Sequence, residues 1–98
     1  MEFSREKPSV KFSIPDRPTV RQQMAYYSAI TNAKEGLSYF ERLWHGTRVL
    51  IADWQCADFD KDVDLESVDN PSILDVMIWA STQVRDHLNK IADIPKNS

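Results

Sequence analysis

The feature that most constrains the fold of this chain is a series of apolar residues at helical spacing between positions 37 and 54. Its members are Leu37, Phe40, Leu43, Trp44, Thr47, Leu50, Ile51 and Trp54. They follow the i, i+3, i+4, i+7 pattern of a helix with one buried face. The pattern continues for about five turns and predicts the central helix of the core. Gly46 lies within it and indicates either a close helix crossing or a tolerated glycine.

Capping signals predict a helix before this central one. Asp16 is suited to be its N-cap, and Pro18 is tolerated in the first turn because the missing N–H has no helical partner there. This first helix runs to about residue 31. Asn32 is the predicted N-cap of the central helix, and Glu35 completes a capping-box pattern three residues later.

A third helix follows an acidic connector at positions 57–69. Asn70 is its predicted cap, Pro71 its first helical residue, and Pro95 marks its end. Its apolar face consists of Ile73, Met77, Ala80, Val84, Leu88 and Ile91. Val76, Ile78 and Trp79 widen this face beyond one stripe, which suggests a contact outside the intramolecular core.

The N-terminal segment has the period of a strand. Val10, Phe12 and Ile14 alternate with polar residues, and prolines bound the segment on both sides. An isolated strand leaves backbone groups unpaired. It therefore pairs either with a second extended stretch near residues 62–68 or with the sheet edge of a partner.

These elements predict a mainly α fold: a small three-helix domain with an N-terminal extended strand or arm. The arm is assigned to residues 1–16, the helical domain to 17–94 and a tail to 95–98. Ninety-eight residues suffice for one core, and the 42% hydrophobic fraction excludes a wholly disordered chain. No apolar run has the length of a membrane span and no signal-peptide pattern opens the chain, so we expect a cytoplasmic protein.

The net charge of -3 hides an asymmetry between the two halves. Residues 1–48 carry eight lysines and arginines against five acidic residues, whereas residues 49–98 carry four against ten. Such a dipolar chain can associate head to tail with copies of itself. It lacks the basic excess of a nucleic-acid-binding protein.

The connector has the acidic spacing of a calcium loop. Counted from its first acid, loop positions 1, 3, 5, 7, 9 and 12 are Asp58, Asp60, Asp62, Asp64, Glu66 and Asp69. The sharp turn at position 6 needs glycine, but Val63 stands there, and an aspartate at position 12 is a poor bidentate ligand. A solvated acidic loop is the favoured interpretation, and calcium binding is left as an alternative.

The sequence offers no catalytic constellation. His45 and His87 have no histidine or cysteine at zinc-site spacing, and Cys56 has no basic neighbour to lower its pKa. Phosphate-binding and nucleophile-elbow motifs are missing as well. We therefore expect no enzyme, no cofactor and no metal site.

The sequence contains several residues that could contact a protein partner. Neighbours on a helix point about 100° apart, so aromatic pairs such as Tyr26-Tyr27 and Tyr39-Phe40 cannot both face one core. Tyr26, Tyr39 and Trp79 are candidate partner contacts because tyrosine and tryptophan are favoured at interfaces. The strand residues Val10, Phe12 and Ile14 are the other candidates, through addition to a partner's sheet.

Three segments carry a family resemblance. VKFSIPDRPTVRQQMAYY at 10–27, FERLW at 40–44 and IWA at 78–80 resemble small proteins of tailed-bacteriophage structural modules, nearest to the tail-assembly chaperones. The resemblance implies a small helical protein that acts through protein contacts in tail or virion assembly. It would work in the host cytoplasm or on the virion, with tail or other virion proteins as partners.

A second hypothesis belongs to another class. The acidic half, Asp53 to Asp93, could present a negative surface to a basic host protein, which would make the chain a small regulatory or inhibitory protein. Ionic strength separates the two hypotheses, because association through the acidic half weakens steeply with salt and apolar capture does not.

Overall fold

The computed structural model describes residues 1–33 and 38–92. Three strands and three helices follow in the order β1 (Glu2–Glu6), β2 (Ser9–Ser13), α1 (Val20–Thr31), α2 (Tyr39–Leu50), β3 (Ala52–Cys56) and α3 (Pro71–Ala92). The protein is therefore a small α+β domain, and the prediction of a mainly α three-helix domain is wrong. Among these residues no helix is long and apolar enough to cross a bilayer.

The strands form one antiparallel sheet in the order β1-β2-β3. β1 and β2 make a hairpin that pairs Phe3 with Phe12, and β2 pairs on its other side with β3, where Val10 lies opposite Cys56. The strand predicted near Val10 is thus present as β2. Its two edges are both occupied within the chain, so residues 1–16 belong to the folded domain and are not a free arm.

The inner face of the sheet packs against α3. Phe12 lies 5.6 Å from the ring of Trp79 in an edge-on arrangement, and its ring is 5.8 Å from that of Trp54 on β3. Arg5 on β1 lies 5.5 Å above the Trp79 ring and pairs with Asp75 at 2.9 Å. These contacts join β1 and β2 to α3, and Phe12 joins β3 to the same cluster through Trp54, which makes the sheet part of the single core.

The helices α1 and α3 both pack against α2. Trp44 is fully buried and its ring contacts those of Trp54 at 5.7 Å and Phe59 at 6.3 Å. On the opposite side α1 crosses α2 at Gly46. A Cβ built there would lie 2.9 Å from the Tyr26 carbonyl oxygen and 2.8 Å from Ile30. Of the two interpretations that the sequence left open for Gly46, the structure supports the close helix crossing.

The helix boundaries agree only in part with the predicted ones. The N-caps are Thr19, Ser38 and Asn70. Asn70 matches the prediction, whereas Asp16 instead forms an ion pair with the terminal ammonium group, and Asn32 is the C-cap of α1. Glu35 and the predicted end of the third helix at Pro95 lie outside the described residues.

Candidate interaction surface

The three strand residues proposed as partner anchors are buried in the chain's own core. Val10, Phe12 and Ile14 have exposed fractions of 1%, 0% and 3%. Because β2 is hydrogen-bonded on both sides, it also has no free edge for a partner strand. Neither their side chains nor their backbone can bind a partner while the sheet is intact.

The three aromatic candidates have different environments. Tyr26 is buried on α1. Trp79 is half-buried beneath Arg5 and beside Phe12. Tyr39, at the start of α2, is 57% exposed, and its hydroxyl accepts a hydrogen bond from Arg85 Nη1 at 3.2 Å. Of the six predicted contact residues, Tyr39 is the one on the surface.

Two connector acids accept hydrogen bonds within the connector's own turns, and a third, Asp62, lies 3.8 Å from Arg48 of α2. Asp60 accepts a hydrogen bond from the backbone N–H of Lys61 at 2.7 Å, and Asp64 accepts one from the backbone N–H of Glu66 at 3.1 Å. Within residues 1–33 and 38–92 there is no group of three or more histidine, cysteine, aspartate or glutamate side chains that could hold a metal ion.

The histidines have structural contacts. Arg48 Nη2 lies 2.9 Å from His45 Nδ1, and burial, followed by the Arg48 charge, lowers the pKa of His45 below its ordinary value. A neutral imidazole that accepts a guanidinium hydrogen bond fits both observations. His87 Nε2 lies 3.0 Å from the Asp16 carbonyl oxygen, and its ring meets Phe3 edge-on.

Several large apolar side chains that were not among the candidate contact residues are exposed. They are Val20, Met24, Tyr27, Phe40, Val49 and Leu74. Single exposed apolar residues are ordinary, but contiguous ones mark interaction sites. All except Val49 fall into two groups, one lining a cleft and one following a helix.

The first group lines an apolar cleft where the N-terminal ends of α2 and α3 meet the connector. We call it the α2–α3 cleft. Phe40 and Leu74 are 41% and 56% exposed at its mouth, with Leu65 and Val68 of the connector beside them. Its volume of about 300 Å³ is at the small end of the range for ligand sites. A cleft of this size accepts apolar side chains of a polypeptide.

Acidic side chains border the cleft. Glu41 and Asp69 line it directly, and neither forms an ion pair with a described residue. Glu41 stands in the first turn of α2, where a negative charge is favoured by the helix dipole. The connector, residues 57–69, carries six acids, Asp69 among them, against one lysine. The cleft thus combines an apolar interior with a negative rim.

The second group is an unpartnered face of α1. Val20, Met24 and Tyr27 are 73%, 63% and 50% exposed, at positions i, i+4 and i+7 of the helix. Residues at this spacing lie on one side of a helix. Arg17 and Arg21 flank them and form no ion pair with any residue that the structure describes. We call these five residues the α1 stripe.

Tyr26 lies inside the helix packing and carries an unsatisfied polar atom. Its hydroxyl is buried and has no hydrogen-bond partner among the described residues. Burial, followed by the neighbouring Tyr27 and Tyr39, raises the pKa of Tyr26 to about 12. The neutral phenol is therefore the form that the fold accommodates.

Replacing Tyr26 by phenylalanine should raise the free energy of unfolding by about 1 kcal/mol at neutral pH, because a buried hydroxyl without a partner is removed. The wild type should also lose stability from about pH 10 to about pH 12, since its folded-state pKa lies above that of the unfolded chain. Tyr26→Phe should lose less stability over this pH range. Urea unfolding at about pH 10 and about pH 12 measures the loss, with Tyr39→Phe as the exposed control. Equal losses of stability in the wild type and in Tyr26→Phe contradict the prediction.

The resemblance to tail-assembly chaperones stays a prediction, because nothing in the geometry of the cleft or the stripe identifies a phage protein. Comparisons with family models, with curated proteins and with solved structures find no match to this chain.

Proposed function

We propose that this chain is a non-enzymatic protein-interaction domain that binds a polypeptide segment in the α2–α3 cleft. The observation that carries the proposal is the exposure of Phe40 and Leu74 in a concave apolar site with a negative rim. Exposed apolar surface of this kind, rimmed by polar groups, is typical of protein-binding sites.

The chemistry of the cleft specifies the kind of segment. An apolar side chain would contact Phe40 and Leu74 and be removed from water, which favours binding by about 25 cal/mol per Å² of buried apolar area. Lysine or arginine on its flanks would pair with Glu41 and Asp69. A segment with apolar residues at helical spacing and basic neighbours meets both requirements.

A role in bacteriophage tail or virion assembly is the biological context that we propose from the sequence resemblance alone. In that context the bound segment belongs to a tail or virion protein, and binding takes place in the host cytoplasm. The domain would cover apolar surface of that partner until assembly replaces it.

The second candidate is a small acidic regulatory protein that binds a basic host protein by charge alone. The six exposed acids of the connector favour it. The two candidates differ in what Leu74 contributes, because binding by charge alone does not need its side chain.

A designed peptide with leucine and lysine at helical spacing should bind the wild type and shift the NMR signals of Phe40 and Leu74. The same peptide with glutamate in place of lysine should not bind, because the rim repels it. Leu74→Ala should weaken binding about tenfold, equivalent to 1.4 kcal/mol. The matched control is Val49→Ala, which removes an exposed apolar side chain of α2 outside the cleft.

The outcomes separate the two candidates. Binding that is insensitive to Leu74→Ala and disappears at high salt indicates recognition by charge alone. Equal binding of the lysine and glutamate peptides, or shifts confined to residues far from the cleft, contradicts both candidates.

A further inference from the structure

We infer that the occupant of the α2–α3 cleft is the α1 stripe of a second copy of this chain, so that the protein associates head to tail. The inference rests on the proposed function, since it names the partner of the same cleft. It uses the two apolar surfaces that the described part of the chain leaves uncovered.

The first argument is the form of the two surfaces. The α1 stripe is convex and regular: Val20, Met24 and Tyr27 project from one side of a helix and span about 10 Å along its axis. The α2–α3 cleft is concave, with Phe40 and Leu74 at its mouth. An apolar helix face laid into an apolar groove with anchors at i, i+4 and i+7 is a recurrent mode of recognition.

The second argument is charge. From residue 17 to residue 31 the chain carries Arg17 and Arg21 and no acidic residue. The cleft carries Glu41 and Asp69, next to the acidic connector. Docking therefore places positive charges against negative ones, whereas stripe on stripe or cleft on cleft would bring like charges together. Charge therefore disfavours stripe-on-stripe and cleft-on-cleft contacts and favours stripe on cleft.

Stripe-on-cleft contacts have a consequence for assembly. Each copy carries one stripe and one cleft, so the contact is heterologous and leaves a free stripe at one end and a free cleft at the other. The free stripe and the free cleft then either bind each other, which closes a ring of two or more copies, or bind further copies, so that a chain grows. A single small interface of this kind is weak and depends on concentration.

Sedimentation velocity over roughly 10 μM to 1 mM should show the wild type passing from monomer to dimer or larger species. Met24→Glu removes the stripe and Leu74→Glu removes the cleft. Each variant alone should stay monomeric, with association weakened at least about tenfold. The matched control is Val49→Glu, which places the same charge on an exposed apolar position outside both surfaces and should associate like the wild type.

Mixing the two variants provides the sharper test. Met24→Glu keeps its cleft and Leu74→Glu keeps its stripe, so an equimolar mixture should form a one-to-one dimer that grows no further. A mixture that stays monomeric while the wild type associates overturns the head-to-tail arrangement. Circular dichroism checks that each variant is folded. If Met24→Glu is unfolded, Arg21→Glu takes its place as the stripe variant, and if Leu74→Glu is unfolded, Asp69→Arg takes its place as the cleft variant.

The experiment also separates this inference from the proposed function. A wild type that is monomeric at every concentration, yet binds the leucine–lysine peptide in the cleft, overturns the second copy as partner and leaves the protein-binding role intact. Self-association that survives both Met24→Glu and Leu74→Glu overturns the inference, because it then uses another surface.

Discussion

Replacing Phe12 by alanine should lower the free energy of unfolding by about 3–5 kcal/mol. Phe12 is fully buried, and its ring contacts those of Phe3, Trp54 and Trp79 at 5.2, 5.8 and 5.6 Å. Small domains are stable by only about 5–15 kcal/mol, so the loss is a large part of the total. Urea unfolding measures it. Lys11→Ala, the exposed neighbour on the other face of β2, should change stability by less than about 0.5 kcal/mol.

Deleting residues 1–15 extends this result. The deletion removes β1, β2 and the buried side chains of Val10, Phe12 and Ile14, and it uncovers Trp79 on α3. We therefore expect no cooperative unfolding transition in the truncated chain. A truncated chain that keeps its helices and unfolds cooperatively would show that the first fifteen residues are an arm, as the strand pattern alone suggested.

Gly46→Ala is the second substitution with a large expected effect. The added Cβ would lie 2.9 Å from the Tyr26 carbonyl oxygen, and this atom belongs to the backbone of α1. The two helices must separate, at a cost of about 1–3 kcal/mol after allowance for the better helix propensity of alanine. Val49→Ala, on an exposed position of the same helix, should alter stability by less than about 0.5 kcal/mol.

A double variant tests the reason for the Gly46 effect. The same Cβ would also meet Ile30 at 2.8 Å, and that side chain can be shortened. In the Gly46→Ala background, Ile30→Ala should cost less than it does alone, because it relieves one of the two clashes. Full additivity of the two substitutions, or a Gly46→Ala variant as stable as wild type, is incompatible with the crossing as described.

Local signals in the sequence predicted the helices better than the sheet. Asn70 followed by Pro71 specifies a helix start without help from the rest of the chain, and α3 begins there. Trp54 continued the helical spacing of α2, yet α2 ends at Leu50 and Asp53 has a left-handed backbone with φ of 54° within β3. Period alone could not show that Trp54 reaches the same core from a strand.

The first strand was missed for a related reason. Between Glu2 and Glu6 the only apolar residue is Phe3, which is too few for an alternating pattern. Arg5 lies on the inner face because its guanidinium group packs on Trp79 and pairs with Asp75, two contacts that come from α3. Tertiary contacts of this kind have no local signature.

The α2–α3 cleft was hidden in the same way. Phe40 was assigned to the buried face of the central helix, and Leu74 lies beside the buried Ile73 on the next helix. Whether such residues line a core or a cleft depends on how the two helix ends and the connector meet. Val20, Met24 and Tyr27 recur at helical spacing and so indicate the apolar face of α1, but spacing alone does not show that this face is exposed while the adjacent Tyr26 is buried.

The order of pairing in the sheet bears on how fast this domain folds. A three-helix bundle is rich in local contacts and folds in microseconds to milliseconds. Here β2 ends at Ser13, whereas its neighbour β3 begins at Ala52 and the ring that covers Phe12 belongs to Trp79. Long loops must close before these contacts form, so we expect this domain to fold more slowly than a three-helix bundle of the same length. During synthesis the β1–β2 hairpin has neither β3 nor α3 to pack against until most of the chain has been made.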